Sequence, residues 1–224
     1  MMTDKWFQYP SRWCWRKKME KYELTGETKE IGGKILHRIR ALIDIPEHDV
    51  KAGDLGGYLE TEENLSHNGA AWVAGSALVT GSARVMDSAW VTGKALVMDS
   101  ARVMGEARVT GSALVTDSAR VTGEALVTGA ACVMGNACMM GKARVVKSSD
   151  YITIGAIGSR DDTTTFYRGA DEKIYVSCGC FNGSIDDFAS KVKAVHAGTK
   201  HEKTYLLAIE LAKAQIATEA ENDG

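Results

Sequence analysis

Three arginines spaced eighteen residues apart, Arg84, Arg102 and Arg120, are the residues of this chain best placed to do chemistry. A guanidinium presents planar, paired donors that fit phosphate and carboxylate oxygens, so a column of them points to an anion. Stacked ~5 Å apart, neighbouring guanidiniums repel by roughly 0.8 kcal/mol even in water, and the column needs negative charge close by. Asp99 and Asp117, three residues before Arg102 and Arg120, are the internal source; a phosphate-bearing ligand is the external one. Other reactive groups are sparser. Cys178-Gly179-Cys180 is one residue short of a C-x-x-C pair and no second pair with ligand spacing follows, so no metal site and no cofactor are expected.

The element that positions the arginines is a repeat of six residues, G/D-x-A-x-V-x, running from Gly69 to Val146 without insertion. Its first position is Gly or Asp from Gly69 to Gly141, its third is always Ala, and its fifth is Val except at Met139. An unbroken short period is the mark of a solenoid. The residue between Ala and Val discloses a longer period: Leu78, Leu96, Leu114 and Cys132 form one column, Arg84, Arg102, Arg120 and Cys138 a second, and Trp72, Trp90, Arg108, Leu126 and Arg144 a third. Like residues recur at three hexads, which predicts a three-sided parallel β-helix. Alternation across an extended strand points Ala and Val inward and the residues between and after them outward. Gly and Asp belong at the corners, where the backbone turns. The same phase is expected to begin earlier, with Leu59 and Leu65 in the inward Ala slot and His67 in the Val slot. The Leu78, Leu96 and Leu114 column, flanked by Thr80, Met98 and Thr116, predicts an apolar strip covered either by the C-terminal helices or by a second copy, giving a dimer or trimer.

Composition excludes several classes. Lys and Arg total 27 against 29 Asp and Glu, a net charge of -2 that offers no bulk attraction to nucleic acid or membranes. No apolar run approaches the roughly 18 residues of a membrane span and no signal-peptide core is visible. The five cysteines are an odd number in dissimilar contexts, which suits a reducing, cytoplasmic setting.

The flanks of the repeat are different in kind. Residues 1–20 interleave Trp6, Phe7, Tyr9, Trp13 and Trp15 with Arg12, Arg16, Lys17 and Lys18; a mix of this kind can touch a nucleic acid or an anionic surface, but nothing orders the cations into one stripe, and the segment reads as an extension that packs on the solenoid end or a partner subunit. Residues 21–56 read as an N-terminal β cap, with strands at Lys21–Thr25 and Lys34–Asp44, the latter placing Ile35, Ile39, Ala41 and Ile43 on one side and His37 inward as a packed residue. An open solenoid end is an unpaired sheet edge, so a cap is physically required before the coils of 57–147. Residues 148–224 predict a small α+β domain: strands Tyr151–Ile157, Thr163–Arg168 and Lys173–Cys178, a helix after Ser184 with Ile185, Phe188, Val192 and Val195 as its apolar stripe, and a second helix from about Lys200 to Ala217 burying part of Leu206, Ile209, Leu211 and Ile216.

These residues carry resemblances. The hexads resemble the hexapeptide-repeat, left-handed β-helix family, although here the Gly falls one place later than that family's usual corner residue. Lys21-Tyr22-Glu23-Leu24, His37-Arg38-Ile39-Arg40-Ala41, Gly53-Asp54-Leu55-Gly56-Gly57-Tyr58 and Asn64-Leu65-Ser66-His67, followed by the coils, resemble a group of phage and prophage β-solenoid proteins. Ile157-Gly158-Ser159-Arg160, Thr163-Thr164-Thr165-Phe166-Tyr167 and Cys178-Gly179-Cys180-Phe181 are similar to a phage-associated C-terminal module. The resemblance implies a non-catalytic binding protein of a phage or prophage, acting in the host cytoplasm to sequester a nucleotide immune signal or to block a host defence protein. Ser159, Arg160, Thr163, Thr165 and Tyr167 would join the arginine column in holding the anion. Two alternatives are implied as well: a structural or assembly component of a virion, and a hexapeptide-repeat acyltransferase. The acyltransferases of that family use a histidine in a cleft between subunits, and here the clean hexads contain none; His67, His196 and His201 lie outside them.

Overall fold

The computed structural model describes residues 20–216. The aromatic extension before residue 20 and Ala217, the expected end of the second helix, lie outside the described residues. The chain is mainly β, with a parallel β-solenoid of about five turns followed by an antiparallel sheet and two helices. No helix among the described residues is long and apolar enough to cross a membrane.

The hexads form thirteen two-residue strands, β4 (Trp72–Val73) through β16 (Arg144–Val145). They build three walls, in which Leu78 pairs with Leu96, Leu96 with Leu114 and Leu114 with Cys132; Arg84 with Arg102 and Arg102 with Arg120; and Trp72 with Trp90, Trp90 with Arg108 and Arg108 with Leu126. The eighteen-residue period is therefore the coil length. Every inward Ala and Val is buried, and Met139 fills the slot where Val is missing. Each corner residue from Gly69 to Gly141 has positive φ, including Asp87 at 60°, Asp99 at 59° and Asp117 at 57°. Side chains disfavour that region, yet Asp tolerates it when its carboxylate finds a local donor. Asp87 and Asp117 accept from the corner N–H one coil on, Gly105 N at 3.0 Å and Gly135 N at 2.8 Å.

The first coil departs from the expected phase. Leu59 pairs with Val79 and Leu65 bridges to Val85, so both occupy the Val slot and not the Ala slot. The spacing from Leu65 to Val73 is eight residues where the repeat allows six, and the two extra residues widen the corner around His67. His67 consequently points into no interior slot. Its ring stacks on Tyr22 at 4.4 Å and its Nδ1 accepts from Lys21 N at 3.1 Å.

The cap extends one wall. β1 (Tyr22–Ile31), β2 (Lys34–Ala41) and β3 (Leu55–Leu59) are antiparallel, and β3 then pairs in parallel with the Leu78 strand to make a seven-stranded sheet. The expected single face is broken: Leu36, Ile39 and Ala41 are buried, while Ile35 is 58% and Ile43 37% exposed. His37 is half-buried opposite Leu59.

Between coils, backbone N–H groups donate to carbonyls of the coil that follows, as Leu96 N does to Ala113 O at 2.9 Å. This polarity leaves carbonyls unanswered in the first coil and N–H groups in the last, and the two ends are closed with matching chemistry. At the start, Lys21 Nζ donates to Ala71 O at 2.6 Å and Gly69 O at 3.3 Å, and Asn64 Nδ2 to Gly81 O and Ala83 O. At the far end acceptors take over: Ser148 Oγ receives Cys132 N, the Tyr151 hydroxyl Met134 N, and Thr165 Oγ1 Cys138 N at 3.0 Å. Both edges are thereby protected from adding further strands. Burial pushes the Lys21 amine down to about 8.

The C-terminal sheet orders β17 (Tyr151–Ile157), β18 (Asp162–Arg168), β19 (Ile174–Cys178) and β20 (Phe181–Ser184). The last has no signature in the sequence, because Phe181-Asn182-Gly183-Ser184 carries little strand propensity and is held by pairing with Tyr175–Cys178. Helices α1 (Ile185–His196) and α2 (Lys200–Gln215) begin at Ser184 and Thr199, whose hydroxyls accept from the N–H of Asp187 and Glu202. They pack on this sheet around Phe166, Val176, Phe188 and Ile209, a cluster that includes none of Leu78, Leu96 and Leu114. Val195 and Leu211, expected at least partly buried, are 60% and 51% exposed. On the leucine wall Leu78 is buried and Leu96 and Leu114 are half-buried within one chain, so the strip is less open than its sequence suggests.

Candidate functional site

The arginine column stands on an open wall. Arg84, Arg102 and Arg120 are exposed and in register, and among the described residues the one counter-ion near them is Glu63, 3.9 Å from Arg84. Asp99 and Asp117, expected to neutralise Arg102 and Arg120, are turned to the backbone. Asp99 accepts from Thr116 Oγ1 and from Asp117 N, and Asp117 from Gly135 N. A carboxylate that rescues a left-handed corner is directed along the rod axis and is not available to an arginine on the flat of the wall.

Arg160 lies elsewhere, on a cavity of about 270 Å³ inside the C-terminal module. Its apolar lining comes from Phe181, Phe188 and Val192 with the more exposed Val195, and its polar lining from Arg160, Lys191, His196 and Asp162 with Ser159, Cys178 and Cys180. No residue of the arginine column lines it. The ring of Phe188 meets Phe181 at 5.1 Å and Tyr205 edge-on at 5.3 Å, which fixes the apolar lining. Gly158 makes room for Tyr205: a β-carbon there would sit 1.7 Å from the phenol oxygen. Burial, then the neighbouring Cys178, pushes the Tyr205 hydroxyl up to about 12, so it stays protonated at neutral pH, 3.7 Å from Cys178 Sγ. Of the other expected site residues, Ser159 is exposed at the rim and Thr163 half-buried on β18. Thr165 and Tyr167 are buried and committed, Thr165 to the last coil and the Tyr167 hydroxyl to Asn182 Oδ1 at 2.9 Å.

A larger concavity, about 700 Å³, lies on the third wall, whose outward column of Trp90, Arg108, Leu126 and Arg144 was too mixed to single out from sequence. The turn Pro46–His48 overhangs one end and Ala170 the other. The His48 ring stacks on Trp90 at 5.2 Å and the Arg108 guanidinium covers Trp90 at 5.3 Å. Its walls were legible as a period; its lips come from residues far away in the chain.

His67 lines a shallow depression with Glu62, Glu63 and Arg84, and its stack on Tyr22 is the setting of a packed ring. The four cysteines among the described residues are free, and no cluster of three or more His, Cys, Asp or Glu side chains fit to hold a metal occurs among them. No family model matches this chain, and no curated protein matches it. The class the fold defines is accordingly a mainly β protein with a parallel β-solenoid closed by a cap at one end and an α+β module at the other.

Proposed function

We propose that this is a non-catalytic binding protein that holds an anionic small molecule of the nucleotide class in the cavity of its C-terminal module. One observation carries the reading: Arg160 and Lys191 converge on a cavity lined by Phe181 and Phe188, cations for a phosphate beside apolar rings for a planar group. A volume of about 270 Å³ is at the small end of the roughly 300–1,000 Å³ typical of small-molecule sites, which suits a ligand no larger than a mononucleotide. Phage or prophage origin, action in the bacterial cytoplasm and a counter-defence role rest on the sequence resemblance and belong to the same proposal. Self-association through the Leu96 and Leu114 face would bury what one chain leaves half-exposed.

The test is direct. Protein purified without added nucleotide is heated and the supernatant analysed by mass spectrometry, then titrated calorimetrically with mononucleotides and cyclic nucleotides. The expected result is a released or bound phosphate-bearing ligand whose affinity falls more than tenfold in Arg160→Ala. Neither release nor binding, or binding indifferent to Arg160, refutes the reading.

A further inference from the structure

From the third wall we infer that this protein has a second, independent site, a groove that takes an extended peptide segment of about four residues bearing opposite charges at its two ends. The groove runs along the rod between two overhangs, the Pro46–His48 turn above Trp90 and the loop at Ala170 beyond Arg144. From the level of Trp90, where the stacked His48 ring closes the groove, to Arg144 is three coil steps, ~14 Å at ~4.8 Å each, which an extended chain at ~3.4 Å per residue spans with about four residues. A groove bounded at both ends suits a single extended strand better than a flat partner surface.

Charge sets the occupant's chemistry. Glu47 and Glu106 sit toward the cap end, and Lys142 and Arg144 at the far end, with Arg108, Glu124 and the aliphatic side chain of Leu126 between them. Three acids face three bases, so a simple anion is repelled as much as it is attracted, whereas a segment with a cation at one end and a carboxylate at the other meets complementary charge at both. Of the charges that line the groove, only Arg144 has a counter-ion within 4.0 Å among the described residues, Glu172. At the cap end the His48 ring stacks on Trp90 at 5.2 Å and the Arg108 guanidinium covers the same indole at 5.3 Å, which closes that end of the groove.

The test uses the full chain and three capped tetrapeptides, acetylated and amidated: Lys-Leu-Ala-Asp, Lys-Leu-Ala-Lys and Asp-Leu-Ala-Asp. In calorimetric titrations at low salt the mixed peptide is expected to bind with Kd below about 1 mM, at least tenfold tighter than the other two. The double variant Lys142→Glu/Arg144→Glu reverses the basic end on exposed positions, and its preference is expected to move to the dilysine peptide, with the circular dichroism spectrum unchanged. Equal affinities for the three peptides, no binding of any, or an unchanged preference in the double variant overturns the inference. So does displacement of the mixed peptide by a mononucleotide. None of these results bears on ligand binding at Arg160, which the Arg160→Ala titration reads separately.

Discussion

Asp117 offers a quantitative check on how the solenoid turns its corners. It holds φ at 57° and its carboxylate accepts from Gly135 N at 2.8 Å, one coil on. Asp117→Ala keeps a β-carbon in the left-handed region without the compensating acceptor. The conformation costs about 1–2 kcal/mol for such a residue, and the lost hydrogen bond about 1 kcal/mol at an exposed site, a total of about 2–3 kcal/mol. Asp117→Gly loses the same bond, about 1 kcal/mol, and adds about 0.5–1 kcal/mol of freedom in the unfolded chain but incurs no left-handed penalty, so its net cost is about 1.5–2 kcal/mol. Asp117→Asn keeps both the acceptor and the tolerance of positive φ and should cost under about 0.5 kcal/mol. Urea denaturation followed by far-ultraviolet circular dichroism, compared by midpoint, reads the order directly: Ala worst, Gly intermediate, Asn nearly silent. If Ala costs no more than Gly, the left-handed backbone is not what selects the residue; if Asn costs as much as Gly, the bond to Gly135 contributes nothing.

Two further predictions concern the ends of the rod. Thr80 Oγ1, Gly81 N at 2.6 Å and Lys34 Nζ at 2.9 Å hold the Glu60 carboxyl down to about 2, well below its ordinary value of 4.5. The unfolded chain therefore binds the proton first, so this contribution is fully present above about pH 4.5 and is lost as pH falls toward 2; Glu60→Gln should flatten the acid limb of stability between those values, and an unchanged limb counts against the assignment. Gly158→Ala would place a methyl 1.7 Å from the Tyr205 oxygen at φ +79° and should destabilise the C-terminal module by more than about 3 kcal/mol. Calorimetry should show that loss in the transition of the module alone, and an unaltered thermogram means Tyr205 does not need the space.

How much was legible in the sequence follows from the range of the forces involved. The corners, the inward Ala and Val and the three columns were readable because each depends on neighbours within six residues, or on like residues recurring at a fixed eighteen. The first coil was misread because Leu59 and Leu65 look the same in either inward slot, and only pairing with Val79 and Val85 reveals the two extra residues at the His67 corner. The Asp99 and Asp117 carboxylates lie three residues from arginines in sequence, yet their rotation with the corner backbone sends them to Thr116 and Gly135 instead.

By itself, then, the sequence determined the rod: its period, its three faces, the residues that fill it and those that turn it, all consequences of local sterics repeated without error. Only the tertiary structure decided where the walls become sites. Glu47 and His48 must swing from the cap over Trp90, and Ala170 from the C-terminal module beyond Arg144, to make a groove. Arg160 must fold back toward Lys191 on α1 to make a cavity. A flat wall of short strands can present charges but cannot enclose a ligand, and the enclosing residues are brought there by packing between segments tens of residues apart, which no local pattern records.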